Sequence, residues 1–369
     1  MGLEGELRIG LVVNDGRVAR IRVTSTRPDV ARSLLQGRTR VEVGAAVPLL
    51  YSICGRSQAQ ASALACAAAA GAAPTSDALA RASAAVSAEI VREHAWRTLL
   101  DWPGWIGEAP TDTAVAAARG SLAYGLDPPA DQGGNGAAIA RAVFGVTADE
   151  WLALRSVSEL DRWSDAGQTA TARFVRGMRD DDAAACDHRE GPDSETVLLD
   201  GHDHAAWIDE LSAAVDADAQ FARHPTWRGA PAETGALARQ QSDPLIGALR
   251  RRSTSRVAAR FVARLCELAM LLAGRTTAVV GAKSMPSGGV AWVENARGLL
   301  IHQVRLAQDR VHTYRIVAPT EWNFHPDGAL ASALSGSPAR DLAAARSRTT
   351  RLVHSLDPCV ACRVEFDDA

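Results

Sequence analysis

The segment Asp357-Pro358-Cys359-Val360-Ala361-Cys362 decides how this chain is interpreted. It places a Cys-x-x-Cys pair directly after a proline, whose ring fixes the φ angle of Pro358 and restricts Asp357 to an extended conformation. The two thiols therefore follow a stiff turn and lie close together. Two thiols in one short loop can bind a soft or borderline metal ion or form a redox pair. The segment alone leaves both possibilities open.

The composition narrows the class of protein. The chain has 369 residues, enough for two average domains or one large one, and its net charge of −3 gives no reason to expect nucleic acid as a partner. No apolar run is long enough to predict a membrane span, and residues 1–6 do not resemble a secretory signal. Six cysteines are sparse in such a chain, so we expect a reducing cytoplasm rather than a disulfide framework.

Local patterns predict an α+β protein, predominantly helical, with β-hairpins near the N-terminus and in the last quarter. Asn14-Asp15-Gly16 separates two alternating apolar runs and predicts a hairpin over residues 6–25. Periodicity and caps predict helices at residues 28–36, 54–73, 77–100 and 253–273, in pieces over 112–170, and at 338–355. Strands are predicted at residues 278–280, 289–293, 299–304 and 311–317, with a turn at Asp309-Arg310.

The remaining segments are predicted as connections. A polar link is expected at residues 37–45, a glycine-rich break at 132–136 and an acidic surface loop at 179–204. We expect one single domain, made of a hairpin and first cysteine loop, a helical body, and a β segment with the C-terminal cysteine corner. The boundaries of these three parts are residues 1–73, 74–275 and 276–369.

The other cysteines have different surroundings. Cys54 is predicted where a loop meets a helix N-terminus, which favours a thiolate, although a buried turn cysteine explains it equally well. Cys66 and Cys266 lie in apolar helical sequence and are predicted core residues. Cys186 lies in the acidic loop near three histidines, but their spacing fits no closed zinc pattern. Those histidines are His188, His202 and His204.

Several segments carry a resemblance to one family, in that family's order. They are Glu4-Gly5-Glu6-Leu7-Arg8-Ile9, Leu35-Gln36-Gly37-Arg38, Ile53-Cys54-Gly55, Gly229-Ala230-Pro231-Ala232-Glu233-Thr234-Gly235-Ala236-Leu237-Ala238-Arg239, Glu294-Asn295-Ala296-Arg297-Gly298, Ala318-Pro319-Thr320-Glu321-Trp322-Asn323 and the C-terminal Cys-x-x-Cys segment. With them the chain resembles the large subunit of nickel–iron hydrogenases over most of its length. The resemblance implies that family's fold.

The resemblance also implies roles for particular residues. In that family two Cys-x-x-Cys pairs hold nickel, and the second cysteine of each pair bridges to an iron that carries two cyanides and one carbonyl. Arg297 and Thr320 would lie around these diatomic ligands, because a buried cyanide nitrogen needs hydrogen-bond donors. Glu4 would be the proton-transfer carboxylate, although hydrogen bonding at the hairpin start is an equally good interpretation.

The chain departs from the family's pattern at several positions. Ser57 replaces the second cysteine of the first pair, and Ala61 replaces the histidine that follows it. Glu365 replaces the final histidine, with only four residues after it, so we expect no peptide to be cleaved. Arg32 falls near the expected acidic magnesium ligand, and Ala296 replaces a proline. Glu365 either takes the old magnesium-side position or is solvated.

Three cysteines of the family's site remain, and they are the predicted metal ligands: Cys54, Cys359 and Cys362. The surrounding residues are predicted to be Arg297, Thr320, Ser57, Glu4 and Glu365. Because a serine hydroxyl is a poor ligand for soft metals, nickel is not expected, whereas an iron fragment with cyanide and carbonyl ligands is.

In these respects the chain looks like the HupK/HoxV-type accessory proteins, which are paralogues of the hydrogenase large subunit. The resemblance implies a non-catalytic scaffold in hydrogenase maturation, in which a small iron-carrying chaperone is the donor and the large-subunit precursor the acceptor. Two alternatives stay open. One is a metal-free interaction platform for maturation chaperones; the other is a divergent hydrogenase or hydrogen-sensing large subunit, against which Ser57 argues.

Overall fold

The computed structural model describes residues 5–26, 30–51, 53–125, 132–185, 196–199, 204–253, 255–275, 279–286 and 288–367. The chain forms two compact units, each made of segments distant in sequence. The first unit consists of Met1–Val86, Glu190–Ala238 and Ala278–Ala369, and the second of Ser87–Arg189 and Arg239–Thr277. The expectation of a single domain stays a prediction.

The elements confirm a predominantly helical α+β protein. The strands are β1 (Glu6–Asn14), β2 (Arg17–Ser25), β3 (Val197–Leu198), β4 (Ala232–Glu233), β5 (Val280–Met285), β6 (Gly288–Asn295), β7 (Gly298–Ala307), β8 (Arg310–Val317) and β9 (Ala361–Asp367). The helices are α1 (Val30–Leu35), α2 (Arg40–Leu50), α3 (Gly55–Ala69), α4 (Ser76–Trp96), α5 (Trp102–Trp105), α6 (Asp112–Ala123), α7 (Gln132–Phe144), α8 (Ala148–Leu152), α9 (Val157–Ala166), α10 (Ala170–Ala185), α11 (His204–Ala217), α12 (Ala236–Arg239), α13 (Pro244–Arg252), α14 (Val257–Leu272), α15 (Pro319–Asn323), α16 (Ala329–Leu334) and α17 (Leu342–Leu356). A π-helical turn, Arg97–Asp101, joins α4 to α5.

The predicted β segment forms an antiparallel sheet of order β5-β6-β7-β8, which is the centre of the first unit. Ala291 and Val304 on one face pack with apolar residues of α2 and α3. Trp292 and Ile301 on the other face pack with apolar residues of α11. Because helices cover both faces of β6 and β7, the sequences of these strands are nearly continuous apolar runs.

Helix α3 rests directly on β6 at a glycine. A Cβ atom at Gly289 would lie 2.2 Å from the backbone nitrogen of Ala69 and 2.4 Å from the carbonyl oxygen of Ala65. No side chain fits there, so glycine permits this approach of helix to strand. The contact sets the distance between the C-terminal end of α3 and β6, and Cys54 lies at the opposite end of this helix.

A second sheet, of order β2-β1-β9, joins the two ends of the described chain. The predicted N-terminal hairpin is confirmed, and its turn uses two left-handed residues, Asp15 and Gly16, with φ angles of 50° and 73°. Strand β9 was not predicted. It pairs with β1 in parallel, and Leu7 stands opposite Cys362.

The second unit is helical and is built around α14, whose residues are buried along most of its length. Trp102 packs on Phe174 and Phe261, with ring centroids 4.5 and 5.2 Å apart. Glu267 of α14 is fully buried; it forms an ion pair with Arg239 at 2.6 Å and a hydrogen bond with His94 at 2.8 Å. Although burial opposes its ionisation, these partners lower the pKa of Glu267 to about 2.

The polar link predicted at residues 37–45 is wrong, because most of it belongs to α2. Thr39 caps this helix by accepting the backbone N–H of Glu42, whose carboxylate accepts the backbone N–H of Thr39 in return. This capping box is visible in the sequence as Thr-x-x-Glu. The N-terminal cysteine loop is therefore held between two helices, α2 and α3.

Two other predicted connections also differ. The glycine-rich break at residues 132–136 is wrong, because α7 begins at Gln132. The loop predicted at residues 179–204 is helical as far as Ala185, in α10, and Cys186, His188 and His202 lie outside the described residues. Among the described residues, no helix is both long and apolar enough to span a membrane.

Candidate metal-binding site

Cys54 immediately precedes α3, as predicted, and only 7% of its surface is exposed. Its carbonyl oxygen accepts the backbone N–H of Gln58 at 3.0 Å, which closes the first helical turn. The thiol does not cap the helix. Instead the sulfur accepts a hydrogen bond from the side-chain amide of Gln58, at an N–S distance of 3.7 Å.

Gln58 is the first member of a buried polar chain that sequence analysis missed. Its Oε1 atom lies 2.9 Å from Nε2 of His302 on β7, and Nδ1 of His302 lies 2.7 Å from the hydroxyl of Tyr314 on β8. All three residues are at most 2% exposed. Burial lowers the pKa of His302 to about 3 and raises that of Tyr314 well above its ordinary value. The imidazole is therefore neutral at physiological pH.

The departures from the family's pattern occupy buried positions on α3. Ser57 and Ala61 are both 0% exposed. A hydroxyl holds its proton far more tightly than a thiol, so Ser57 offers no thiolate where the resemblance predicts one. The N-terminal segment therefore has one thiol, Cys54, in its predicted ligand pair.

The C-terminal corner begins where α17 ends. The prediction that Asp357 is extended is wrong, because it is left-handed, with φ 52° and ψ 68°. Its backbone N–H donates to the carbonyls of Val353 and His354 at 3.1 and 3.3 Å and so closes the helix. Aspartate is among the residues that tolerate this conformation. The turn into Cys359 is therefore made by Asp357 and Pro358 together.

Cys359 is buried beside Thr320, which the resemblance places around the metal's diatomic ligands. The Thr320 hydroxyl lies 3.0 Å from the Cys359 sulfur. Thr320 is positioned by α15, a short helix that starts with Pro319 in the first turn, where the missing N–H costs nothing. The structure thus brings this threonine to the first cysteine of the corner.

Arg297 reaches the same corner from the turn between β6 and β7. Its Nε atom lies 3.7 Å from Oδ2 of Asp357, and the two side chains are only 3% and 9% exposed. The carbonyl of Arg297 accepts the side-chain amide of Asn323 at 3.0 Å, which ties the turn to α15. A buried guanidinium, a hydroxyl and a thiol therefore gather around the start of the Cys-x-x-Cys segment.

Cys362 lies three residues further on, in β9, and is half-buried. Burial, with a smaller contribution from the negative charge of Glu6, raises the pKa of its thiol to about 11. At neutral pH this cysteine is a thiol. A metal ion that binds it must displace the proton.

The described structure does not gather the three predicted ligands into a ready-made centre. In the part of the chain that it covers, no group of three or more histidine, cysteine, aspartate or glutamate side chains is placed to hold a metal ion. Cys54, Cys359 and Cys362 belong to one unit, and each is a thiol rather than half of a disulfide. The three-cysteine ligand set stays a prediction.

The remaining candidates lie elsewhere. Glu365 is exposed on β9, three residues from Cys362 and so on the opposite face of the strand. Glu4 lies outside the described residues, as does Cys186. Cys66 and Cys266 are buried core residues, as predicted.

Comparison with known proteins places the chain in a family. The family described as nickel-dependent hydrogenase matches residues 248–365, which include Arg297, Thr320 and both C-terminal cysteines. The hydrogenase expression/formation protein HoxV of Cupriavidus necator is 31% identical, with 94% of this chain and 93% of that protein covered. This chain belongs to the HoxV/HupK family of hydrogenase expression/formation proteins. HupK of Rhizobium leguminosarum bv. viciae is also 31% identical, with 99% and 97% covered.

The fold of this HoxV/HupK-family protein is that of the hydrogenase large subunit, as predicted. The nickel–iron–selenium hydrogenase from Desulfovibrio vulgaris Hildenborough superposes with a TM-score of 0.60 over 95% of both chains, at 17% sequence identity. At that identity the likeness shows the fold alone. The close relatives in sequence are named for hydrogenase expression and formation, so a maturation role is supported.

Proposed function

We propose that this protein is a cytoplasmic, non-catalytic scaffold in hydrogenase maturation. It holds an iron fragment with two cyanides and one carbonyl before that fragment passes to the hydrogenase large subunit. One observation carries the proposal: the two cysteine segments differ. The C-terminal corner keeps two cysteines with Thr320 at 3.0 Å from Cys359, whereas the N-terminal segment has a buried serine, Ser57, in place of its second thiol.

The ligand chemistry supports iron rather than nickel as the cargo. The family's nickel is held by four thiolates, whereas this chain offers three thiols and one hydroxyl at the matching positions. Thiolates suit both metals, but a site that lacks one of them binds its metal less tightly. Weak binding is useful in a scaffold, because the fragment has to leave. Binding of the iron fragment also requires the Cys362 thiol, whose pKa is raised to about 11, to lose its proton.

The polar residues at the corner suit a cargo with cyanide ligands. A bound cyanide presents a nitrogen that accepts hydrogen bonds, and a buried acceptor of this kind needs a donor. Thr320 and Arg297 offer a hydroxyl and a guanidinium beside Cys359 and Asp357. We assign them the role of orienting the cargo.

The proposal implies two partners of different kinds. A small iron-carrying maturation chaperone delivers the fragment, and the precursor of the hydrogenase large subunit receives it. Each transfer passes the fragment between this chain and a partner, so each partner must reach the predicted ligands Cys54, Cys359 and Cys362.

Infrared spectroscopy tests the proposal directly. We expect protein purified without oxygen, after co-production with the maturation proteins, to show cyanide and carbonyl stretching bands, with iron and no nickel by elemental analysis. Cys362→Ala should abolish iron loading, whereas Cys66→Ala, which removes a buried thiol of the same unit, should leave it unchanged. Equal loading of the two variants would refute the ligand assignment.

A second function is favoured by one observation, the lack of a ready-made metal centre among the described residues. In this alternative, the protein binds no metal and acts as an interaction platform for maturation chaperones. A double variant, Cys359→Ala with Cys362→Ala, separates the two functions in a strain that lacks the native protein. Restored hydrogenase activity would favour the platform, and loss of activity the scaffold. Nickel bound stoichiometrically with hydrogen uptake would instead indicate a divergent hydrogenase.

A further inference from the structure

We infer that Gln58 is a positioning residue for Cys54: a hydrogen-bond relay from Tyr314 through His302 holds its amide so that the N–H donates to the Cys54 sulfur. The inference rests on the proposed function, because it treats Cys54 as a metal ligand. The relay spans three elements. Gln58 lies one turn after Cys54 on α3, His302 on β7 and Tyr314 on β8.

The direction of the relay follows from the chemistry of its members. The Gln58 amide nitrogen faces Cys54 and its oxygen faces His302, and an amide oxygen only accepts hydrogen bonds. His302 must therefore carry its proton on Nε2. A neutral imidazole has a single N–H, so Nδ1 is an acceptor and the Tyr314 hydroxyl donates to it. Every contact in the chain then has one donor and one acceptor.

Because the relay is buried, each of its hydrogen bonds is costly to lose. Gln58, His302 and Tyr314 are 1%, 0% and 2% exposed, so water cannot replace a lost partner. Rotating the Gln58 amide would turn its N–H₂ group toward the Nε2 proton of His302 and leave two donors facing each other. The sheet thus fixes one orientation of a side chain on the helix above it, and that orientation presents an N–H to the thiol.

This donor has a specific chemical consequence at Cys54. A sulfur that gives up its proton in a buried place carries negative charge, which is costly unless a donor or a cation faces it. A hydrogen bond from an N–H group to a ligand sulfur also withdraws electron density from the metal that the sulfur binds. Ser57 offers no thiolate and Ala61 no polar group beside this loop. Gln58 therefore supplies a directed polar contact at the N-terminal ligand.

The relay can be tested without metal through its proton positions. Nitrogen NMR of the full chain with ¹⁵N-labelled histidine distinguishes the two tautomers, and a His302→Gln variant assigns the signal among the nine histidines. We expect His302 to be a neutral Nε2–H tautomer that stays uncharged down to the lowest pH at which the protein is folded. An Nδ1–H tautomer, or a charged ring at neutral pH, would overturn the inference.

The effect on the ligand is tested in iron-loaded protein. In Gln58→Met the Cys54 sulfur donates more charge to iron, so the carbonyl stretching band should move to lower wavenumber. Gln303→Met is the matched control, because Gln303 is also a buried glutamine, on β7, but its amide donates to Ser212. A band that does not move in Gln58→Met, or that moves equally in both variants, contradicts the inference.

The two proposals fail in different ways. If the native protein carries no iron under any condition, the scaffold function fails, and the ligand role of Cys54 fails with it, while the tautomer still decides whether the relay exists. If iron loads normally and the Nε2–H tautomer or the band shift is missing, the scaffold function stands and the role of Gln58 is wrong.

Discussion

The two cysteine segments of the first unit are held in opposite ways. Cys54 stands where a helix begins, and the groups that support it come from the sheet below, through Gln58 and His302. Cys359 stands just after a helix ends, and Thr320 and Arg297 support the corner from the segments beside it. The difference teaches that the C-terminal segment has both predicted ligands with Thr320 and Arg297 beside them, whereas the N-terminal segment has one predicted ligand, Cys54, whose sulfur accepts a hydrogen bond from Gln58.

The largest expected effect comes from loosening the sheet behind the corner. Leu7→Ala removes a fully buried side chain opposite Cys362 on β1 and should lower the free energy of unfolding by about 2–5 kcal/mol. We expect urea unfolding to show this loss, and alkylation of the native protein to speed up at Cys362 more than at Cys54. Leu34→Ala, at an exposed leucine of the same unit, is the control. Equal acceleration at the two cysteines would contradict separate support for the two segments.

The next prediction concerns a variant in which the N-terminal segment, like the C-terminal one, has two cysteines. Ser57→Cys restores the missing thiol, and an added ligand worth more than about 1.4 kcal/mol raises nickel affinity more than tenfold. The matched control is Ser62→Cys, another fully buried serine of α3, which should not change nickel binding. Elemental analysis after anaerobic incubation with nickel measures both variants. If Ser57→Cys binds no more nickel than the native chain, the serine is not what excludes that metal.

A smaller effect is expected from the polar contact at the corner. Thr320→Val keeps the side-chain shape but loses the hydroxyl 3.0 Å from Cys359, and iron retention should fall about tenfold. Thr349→Val removes a buried hydroxyl that donates to the carbonyl of Ala345 in α17. Both variants should lose about 1 kcal/mol of stability, but only the first should lose iron. If Thr320→Val and Thr349→Val lose iron equally, the contact between Thr320 and Cys359 contributes to stability but not to iron binding.

The smallest effect concerns the acidity of Cys362. Burial raises the pKa of this thiol to about 11 and the charge of Glu6 adds to the rise, so Glu6→Gln should lower the pKa. Since the thiolate is the reactive form, alkylation of Cys362 at pH 8 should become about two- to fivefold faster, because a partly exposed charge is screened. In both proteins the rate should rise with pH toward the thiol's pKa. Asp309→Asn, which removes the charge of an exposed carboxylate elsewhere in the first unit, should leave the rate unchanged.

Most of the fold could be predicted from the sequence, because its signals are local. The N-terminal hairpin follows from alternation around Asn14-Asp15-Gly16, and the strands β5 to β8 follow from apolar runs. The helix α2 was missed although the Thr39 and Glu42 capping box was visible. The strand β9 was missed because its partner, β1, lies at the other end of the chain, and a short alternation alone does not identify a partner.

The candidate site was predicted less completely, for a similar reason. The cysteines, Thr320 and Arg297 could be named because they lie in recognisable segments. Gln58, His302 and Tyr314 could not, because each is an ordinary polar residue on a separate element and only the fold joins them. The one signal was His302 itself, a single histidine within the apolar run of β7.

The pairing of β1 with β9 also bears on how the protein is made. A ribosome synthesises β1 long before β9, so β1 has to wait for the strand that carries Cys362 before the two can pair. Until then the nascent chain has no complete corner to offer a metal. A chain that stops short of residue 361 lacks both Cys362 and the strand that anchors it. The β1–β9 pairing therefore makes the position of Cys362 depend on two strands from distant parts of the sequence, and it can form only after the second of them has been synthesised.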